Sequence, residues 1–368
     1  MASPSPANSL VRLGALGQSP WYDFITRDLV TSGQLARLIT DDGLRGMTSN
    51  PTIFEKAVAG SRLYDDDIRR LTDEGHGPAR IFEALAVADV RAACDLFRAL
   101  FDSAANGDGT VSLEVSPTLA HDAEATIAEA ERLWAAVDRP NLMIKIPGTE
   151  AALPAVAHCI AGGISVNVTL LFSVERYAAV ADAFLGGLER RTALGKPIDG
   201  VHSVASFFVS RVDTAIDPTL PADSPLRGKA AIANAAAAYA LFQWRLGTPR
   251  WAQLAGKGAR PQRPLWASTS TKDPHYPDIY YVEALTAADT VNTLAPETFA
   301  AYRDHGRPAL RIAEAVAAAP AALEQLTAAG VDLATVTQAL EADGVAKFAA
   351  SYASLLAGIG SKAGELVS

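Results

Sequence analysis

Cysteine is scarce in this chain of 368 residues: there are two, Cys94 and Cys159, too few for a disulfide framework. Both lie in alanine-rich, helix-like stretches, VRAACDLF and AVAHCIAGG, and read as small core side chains. No run reaches the ~18 apolar residues of a membrane span, and the opening MASPSPANSL lacks the basic-then-apolar layout of a signal peptide. We therefore expect a cytoplasmic protein with no membrane contact. The six histidines nowhere fall at metal-ligand spacing with one another or with cysteine, so no metal is expected. Neither GxGxxG nor GxxxxGK[ST] occurs, which weighs against a nucleotide-binding sheet. Basic charge is in deficit: 32 Lys and Arg against 41 Asp and Glu leave a net charge of −9, which argues against nucleic-acid binding. An anionic small substrate would need local positive groups.

What is present is a globular composition, 49% hydrophobic and 20% charged, in a length that suits one large α/β domain. Residues 1–18, rich in Ser, Pro, Ala and Gly, read as a flexible N-terminal arm, leaving 19–368 for the domain. Eight short β-type segments follow: WYDFIT, GMTS, VSLEV, NLMIKI, ISVNVTLLF, VHSVASFF, PLWAST and TVNTL. Helical sequence separates each from the next, including an amphipathic stretch over 27–39, a helix over 122–137 and a helical insertion at about 213–262. From Phe299 onward the chain reads as C-terminal helices. Eight strands alternating with helices predict a (β/α)8 TIM barrel with additional helices.

One residue stands out against its strand. Lys145 interrupts the apolar run of NLMIKIPGT, which Pro147-Gly148 closes with a turn, so it belongs near the strand's carboxyl end. It has two readings, an ion pair at a strand end or a nucleophile, because taking an ammonium out of water favours the neutral amine that attacks carbonyls. In a barrel the polar residues at strand carboxyl ends face one mouth. Asp23, Asn50, Glu114, Lys145, Asn167, Thr169, Ser206 and Ser268 should therefore meet. A lysine, two carboxylates, two amides and a threonine, with Arg211 or Lys272 for an anion, form a kit for imine chemistry on a phosphorylated sugar. Singly, each has a plainer reading: Asp23 as a helix-start acid, Asn50-Pro51 as a turn, Arg211 as a surface charge.

The segments WYDFITRDL, GMTSNPTIFEKA, VSLEVSP, NLMIKIPGTEA, GGISVNVTLLFS, VASFFVSRVD, PLWASTSTKDP and DTVNTLAP occur in the order found in the transaldolases of the pentose phosphate pathway, and the chain resembles that family from about Trp21 to Arg303. The resemblance implies a Schiff-base lysine at Lys145, an acid/base aspartate at Asp23, and a water held by Glu114 and Thr169. It implies hydroxyl-binding amides at Asn50 and Asn167, and Ser206, Arg211 and Ser268 around a sugar phosphate, with no cofactor. Where shorter members carry an arginine two residues after the serine, this chain has Ser270, and Lys272 is the candidate substitute. Phe208 occupies a position at which aldolase-type relatives tend to have tyrosine, so it favours transfer over release. Fructose 6-phosphate aldolase and a non-catalytic phosphosugar-binding barrel are the alternatives.

Overall fold

The computed structural model describes residues 8–104 and 106–367. Eight parallel strands close into a barrel in sequence order: β1 (Gln18–Asp23), β2 (Gly46–Thr48), β3 (Thr110–Glu114), β4 (Leu142–Pro147), β5 (Val166–Leu171), β6 (Ser203–Phe208), β7 (Arg263–Ala267) and β8 (Thr290–Leu294). The expected (β/α)8 TIM barrel is thus the observed one. Before β1 stands α1 (Ser9–Ala15). Between the strands come α2 (Arg27–Thr31), α3 (Gln34–Asp41), α4 (Pro51–Ala59), α5 (Asp65–Asp73), α6 (Pro78–Ser103), α7 (Ala123–Val137), α8 (Leu153–Gly162), α9 (Val174–Ala193), α10 (Ser210–Ile216), α11 (Ala230–Leu246), α12 (Pro249–Ala255) and α13 (Tyr280–Ala284). The chain ends in α14 (Pro296–His305), α15 (Ile312–Ala328) and α16 (Leu333–Val367).

The strands are buried on both faces, yet several alternate, with polar residues such as Ser112 and Glu114 on β3 and Asn167 and Thr169 on β5 facing the barrel interior. In β4, Ile144 and Ile146 point to the helical layer while Met143 and Lys145 point into the barrel, as the two-residue period requires. Asn141 fixes the start of that strand: its amide donates to the carbonyls of Cys94 and Gly109, each at 2.8 Å. Gly46 is required on β2. A Cβ there would lie 2.4 Å from the Trp21 indole that fills the barrel interior. The amino end of the barrel is closed by a buried polar group, with Arg263 donating to Asp108 at 3.0 Å and to Ser19 at 2.8 Å. Cys94 and Cys159 are free, buried in α6 and α8, and burial pushes both thiols up to about 12.

Several expectations need correction. The flexible arm predicted for residues 1–18 does not hold from residue 8: Asn8 caps α1 by accepting from the amides of Leu10 and Val11, and Leu10 and Leu13 are fully buried. Residues 1–7 lie outside the described residues. The single helix over 27–39 is two helices, broken at Gly33, whose φ of 81° suits glycine. In the 213–262 segment, α11 is an ordinary barrel helix between β6 and β7, so the additional material is α10, α12 and the loops around them. No helix among the described residues is long and apolar enough to cross a membrane.

The longest helix, α16, returns from the chain's end to lie over the carboxyl end of the barrel. Lys362 ties it down, pairing with Asp65 at 2.7 Å and donating to the carbonyls of Val58 and Ser61. Thr52 on α4 donates to Ser351, and Arg176 on α9 pairs with Glu341 at 3.1 Å. A Cβ on Gly344 would come within 3.0 Å of Leu170, so the helix seats closely on the barrel end there.

Candidate active site

Under α16, the strand ends surround a cleft of about 170 Å³. Lys145 reaches into it from β4 and is only 5% exposed. Its Nζ lies 3.1 Å from Oε2 of Glu114, the register partner on β3, and donates to the carbonyl of Ser49 at 2.9 Å. The Phe348 ring of α16 stands over it, 5.5 Å from Nζ to the centroid.

Two carboxyls share the lysine's field. Asp23 ends β1, and its Oδ1 accepts from Thr48 at 2.6 Å; Thr48 in turn contacts Thr293 at 2.6 Å. Burial raises the Asp23 carboxyl above the ordinary aspartate range, while the Lys145 ammonium and the Thr48 hydroxyl pull it part of the way back. Glu114 is raised in the same way, chiefly by burial and against the pull of Lys145. Among the described residues Oε2 of Glu114 has only the Lys145 ammonium beside it, and neither Oε1 of Glu114 nor the buried hydroxyl of Thr169 has a hydrogen-bond partner. Buried oxygens with unused hydrogen-bonding capacity on β3 and β5, the strands that flank the lysine's β4, suit a small polar guest.

The predicted residues fall around the same space, with two exceptions: Glu114, which stands behind Lys145, and Asn167. Asn50 caps α4 by accepting from the amide of Ile53, and it lines the cleft. Thr169, Ser206, Phe208, Arg211, Ser268 and Lys272 line it as well. Asn167 does not. It sits fully buried beside Lys145 in register, donating to Ser112 at 3.0 Å and accepting from Ser206 at 2.7 Å, so its amide positions Ser206 beneath the cleft. Next to Thr169, β5 bulges: Leu170 adopts a φ of 61° and the register with β6 shifts.

At the other end of the cleft the charge is positive. The Arg211 guanidinium lies 5.3 Å over the Phe208 ring, its Nη1 is buried without a hydrogen-bond acceptor among the described residues, and burial lowers its pKa. Ser268 is held at a φ of 54°, an unusual conformation for serine, and shares a 2.9 Å hydrogen bond with Ser210. Ser270 contacts Thr298 at 2.5 Å, while Lys272 is exposed at the rim.

Sequence reasoning missed five lining or supporting residues. Thr48 and Ser49 end the short GMTS strand segment just before the Asn50-Pro51 turn, and Thr293 and Glu297 flank the end of β8. Phe348 lies over 200 residues beyond Lys145 in an alanine-rich helix with no local signal.

The family described as transaldolase/fructose-6-phosphate aldolase matches residues 20–359. A transaldolase of Parafrankia sp. (strain EAN1pec) is 49% identical over 362 residues, covering 97% of this chain and 98% of the relative. One from Acidothermus cellulolyticus is 51% identical over 357 residues, 95% of each chain, and one from Thiobacillus denitrificans is 48% identical over 350 residues, 94% of this chain and 98% of the relative. With a barrel, a buried lysine paired to a carboxylate and a match over nearly the whole length, the chain belongs to the transaldolase/fructose-6-phosphate aldolase family.

Proposed function

We propose that this enzyme transfers a dihydroxyacetone unit from sedoheptulose 7-phosphate to glyceraldehyde 3-phosphate, giving erythrose 4-phosphate and fructose 6-phosphate, and runs the reverse. The observation that carries the reading is the pairing of a nearly buried lysine with one carboxyl at 3.1 Å, while a second carboxyl lines the same cleft. We place the reaction in the cytoplasm.

Lys145 gives a proton to Glu114 and attacks the ketone carbon of the donor sugar. The carbinolamine loses its oxygen as water, with Glu114 and Thr169 handling the protons, and a protonated imine remains. Asp23 then takes the proton of the donor's C4 hydroxyl. The C3–C4 bond breaks, its electrons move toward the imine nitrogen, and the aldehyde leaves. An enamine of dihydroxyacetone stays on Lys145 until a second aldehyde accepts its electrons and Asp23 returns the proton. Hydrolysis of the new imine frees the product and the lysine.

A carboxyl raised by burial suits both halves of the Asp23 role, because it must accept a proton in one direction and give it back in the other. Asn50 is assigned to the dihydroxyacetone hydroxyls, with Asn167 acting on them through Ser206. Arg211, Ser268 and Lys272 are assigned to the phosphate, the guanidinium offering a paired donor and the ammonium a point charge.

A fructose 6-phosphate aldolase is the nearest other reading. Phe208 stands against it: it offers no hydroxyl to the cleft, and its ring packs 5.1 Å from that of Phe172. An assay following acceptor-dependent transfer and free dihydroxyacetone together separates the two. Transfer well above release supports the proposal; release equal to turnover, with or without acceptor, contradicts it.

A further inference from the structure

A second cavity, of about 340 Å³ and bordered by Glu114, lies beside the substrate cleft, between β3, α4, α6, α7 and α16. Its outer rim carries the exposed Ala79, Arg80 and Arg132, and its inner end closes on Leu113, Ser49 and Glu114. The cleft wall contains Lys145 but not Glu114, and the second cavity contains Glu114 but not Lys145. Asn50 lines both spaces, so they adjoin where Asn50 and the 3.1 Å ion pair stand. On the cavity's side stands Glu114, its side chain 4% exposed, with Lys145 beside Oε2 and no hydrogen-bond partner on Oε1 among the described residues.

Imine chemistry needs water at this spot twice per turnover, since carbinolamine dehydration expels one molecule and imine hydrolysis consumes one. Through the cleft the path is poor. It measures about 170 Å³ beneath Phe348, and a bound seven- or six-carbon sugar phosphate occupies it. The second cavity is roomy, since one water needs only ~10–15 Å³ of such space. It is also polar enough to be wet: Ser116, Glu129 and Arg132 line it, whereas purely apolar cavities stay dry.

We propose that this side cavity is the water route of the enzyme: water reaches and leaves Glu114 from behind, and sugars reach Lys145 from the front. The inference rests on the imine mechanism above. Separate routes would let the enzyme hold its three-carbon intermediate for an acceptor while water access is set independently, by the width of the side cavity.

Two substitutions block the route without touching the cleft. Ala86→Leu fills the middle of the cavity from α6, and Ala79→Phe plugs its outer rim from an exposed position where folding is not at stake. Each protein is loaded with fructose 6-phosphate while a coupling dehydrogenase draws off glyceraldehyde 3-phosphate. Two single-turnover rates are then read. One is the loss of borohydride-trappable imine without acceptor, which consumes water; the other is the consumption of erythrose 4-phosphate, a carbon-carbon bond formation that consumes none. The expected result is a fall of roughly tenfold in the first rate with the second unchanged. Hydrolysis at the wild-type rate in folded Ala79→Phe, or an equal fall in both rates, overturns the water route. A wild-type protein that traps no imine overturns the imine mechanism itself, and the route with it.

Discussion

Glu114 and Lys145 are register partners on neighbouring strands, and their side chains meet at 3.1 Å inside the barrel, each almost wholly shielded from solvent. Such a pair costs desolvation of both ions. A stabilising role is the weaker explanation, because the carboxylate oxygens lack the additional hydrogen bonds that offset burial. A proton-transfer role explains both the contact and the lack of other partners. In the proposed mechanism the lysine loses a proton before it attacks, and Glu114, 3.1 Å away, is the base beside it.

In the proposed mechanism Asp23 acts in carbon-carbon cleavage and not in imine formation. In Asp23→Asn the imine still forms and is still trapped by borohydride, while kcat falls by about 10²- to 10⁴-fold. The pH profile gives a second readout. The Asp23 carboxyl lies above the ordinary aspartate range and must be deprotonated to accept the hydroxyl proton of the donor. Wild-type activity therefore declines on acidification earlier than an ordinary aspartate would dictate. A decline only below the ordinary range would show that burial does not tune this group.

The phosphate end is tested by comparing phosphorylated with unphosphorylated acceptor. Arg211→Met raises KM for glyceraldehyde 3-phosphate by roughly tenfold or more, with little change for glyceraldehyde, because the lost contact is charge-assisted. Lys272→Ala, at the exposed rim, does the same by a smaller factor. An unchanged KM in Lys272→Ala would remove that residue from the site.

Phe208 bears on the fate of the three-carbon unit. Phe208→Tyr places a hydroxyl in the cleft near the imine, where it helps to position water. We expect more free dihydroxyacetone per transfer event than in wild type. Release no higher than wild type refutes this account of the position.

Gly46→Ala tests the packing beneath the site. Its new methyl would meet the Trp21 indole at 2.4 Å, closer than any real Cβ contact, and both neighbours belong to the barrel wall. Overpacking of this kind costs about 1–3 kcal/mol, readable as a lower midpoint in urea with an unchanged slope. An unchanged midpoint would mean that the barrel interior relaxes more freely than its geometry indicates.

The barrel was legible because short apolar or alternating segments, eight in all, are separated by helical sequence, a signal that survives without tertiary context. The carboxyl-end residues followed from the barrel itself, since parallel strands point them at one mouth. What could not be read required distance or competition. The α1 helix lies behind a Ser/Pro-rich opening, with Asn8 as its cap and Leu10 and Leu13 at helical spacing. The apparent 27–39 helix contains Gly33, whose left-handed backbone outweighs the amphipathic pattern. Asn167 stands on the face of Lys145, yet Ser112 and Ser206 already occupy its amide, and no strand-level reading shows neighbours on two other strands. Phe348 depends on where α16 returns, a matter of tertiary packing alone.

The most direct test is to reduce the protein with borohydride in the presence of fructose 6-phosphate and locate the adduct by peptide mass spectrometry. A three-carbon adduct on Lys145, missing in Lys145→Ala while that variant keeps its wild-type fold by circular dichroism, is the predicted result. An adduct on another lysine, or one that persists in Lys145→Ala, would contradict the account.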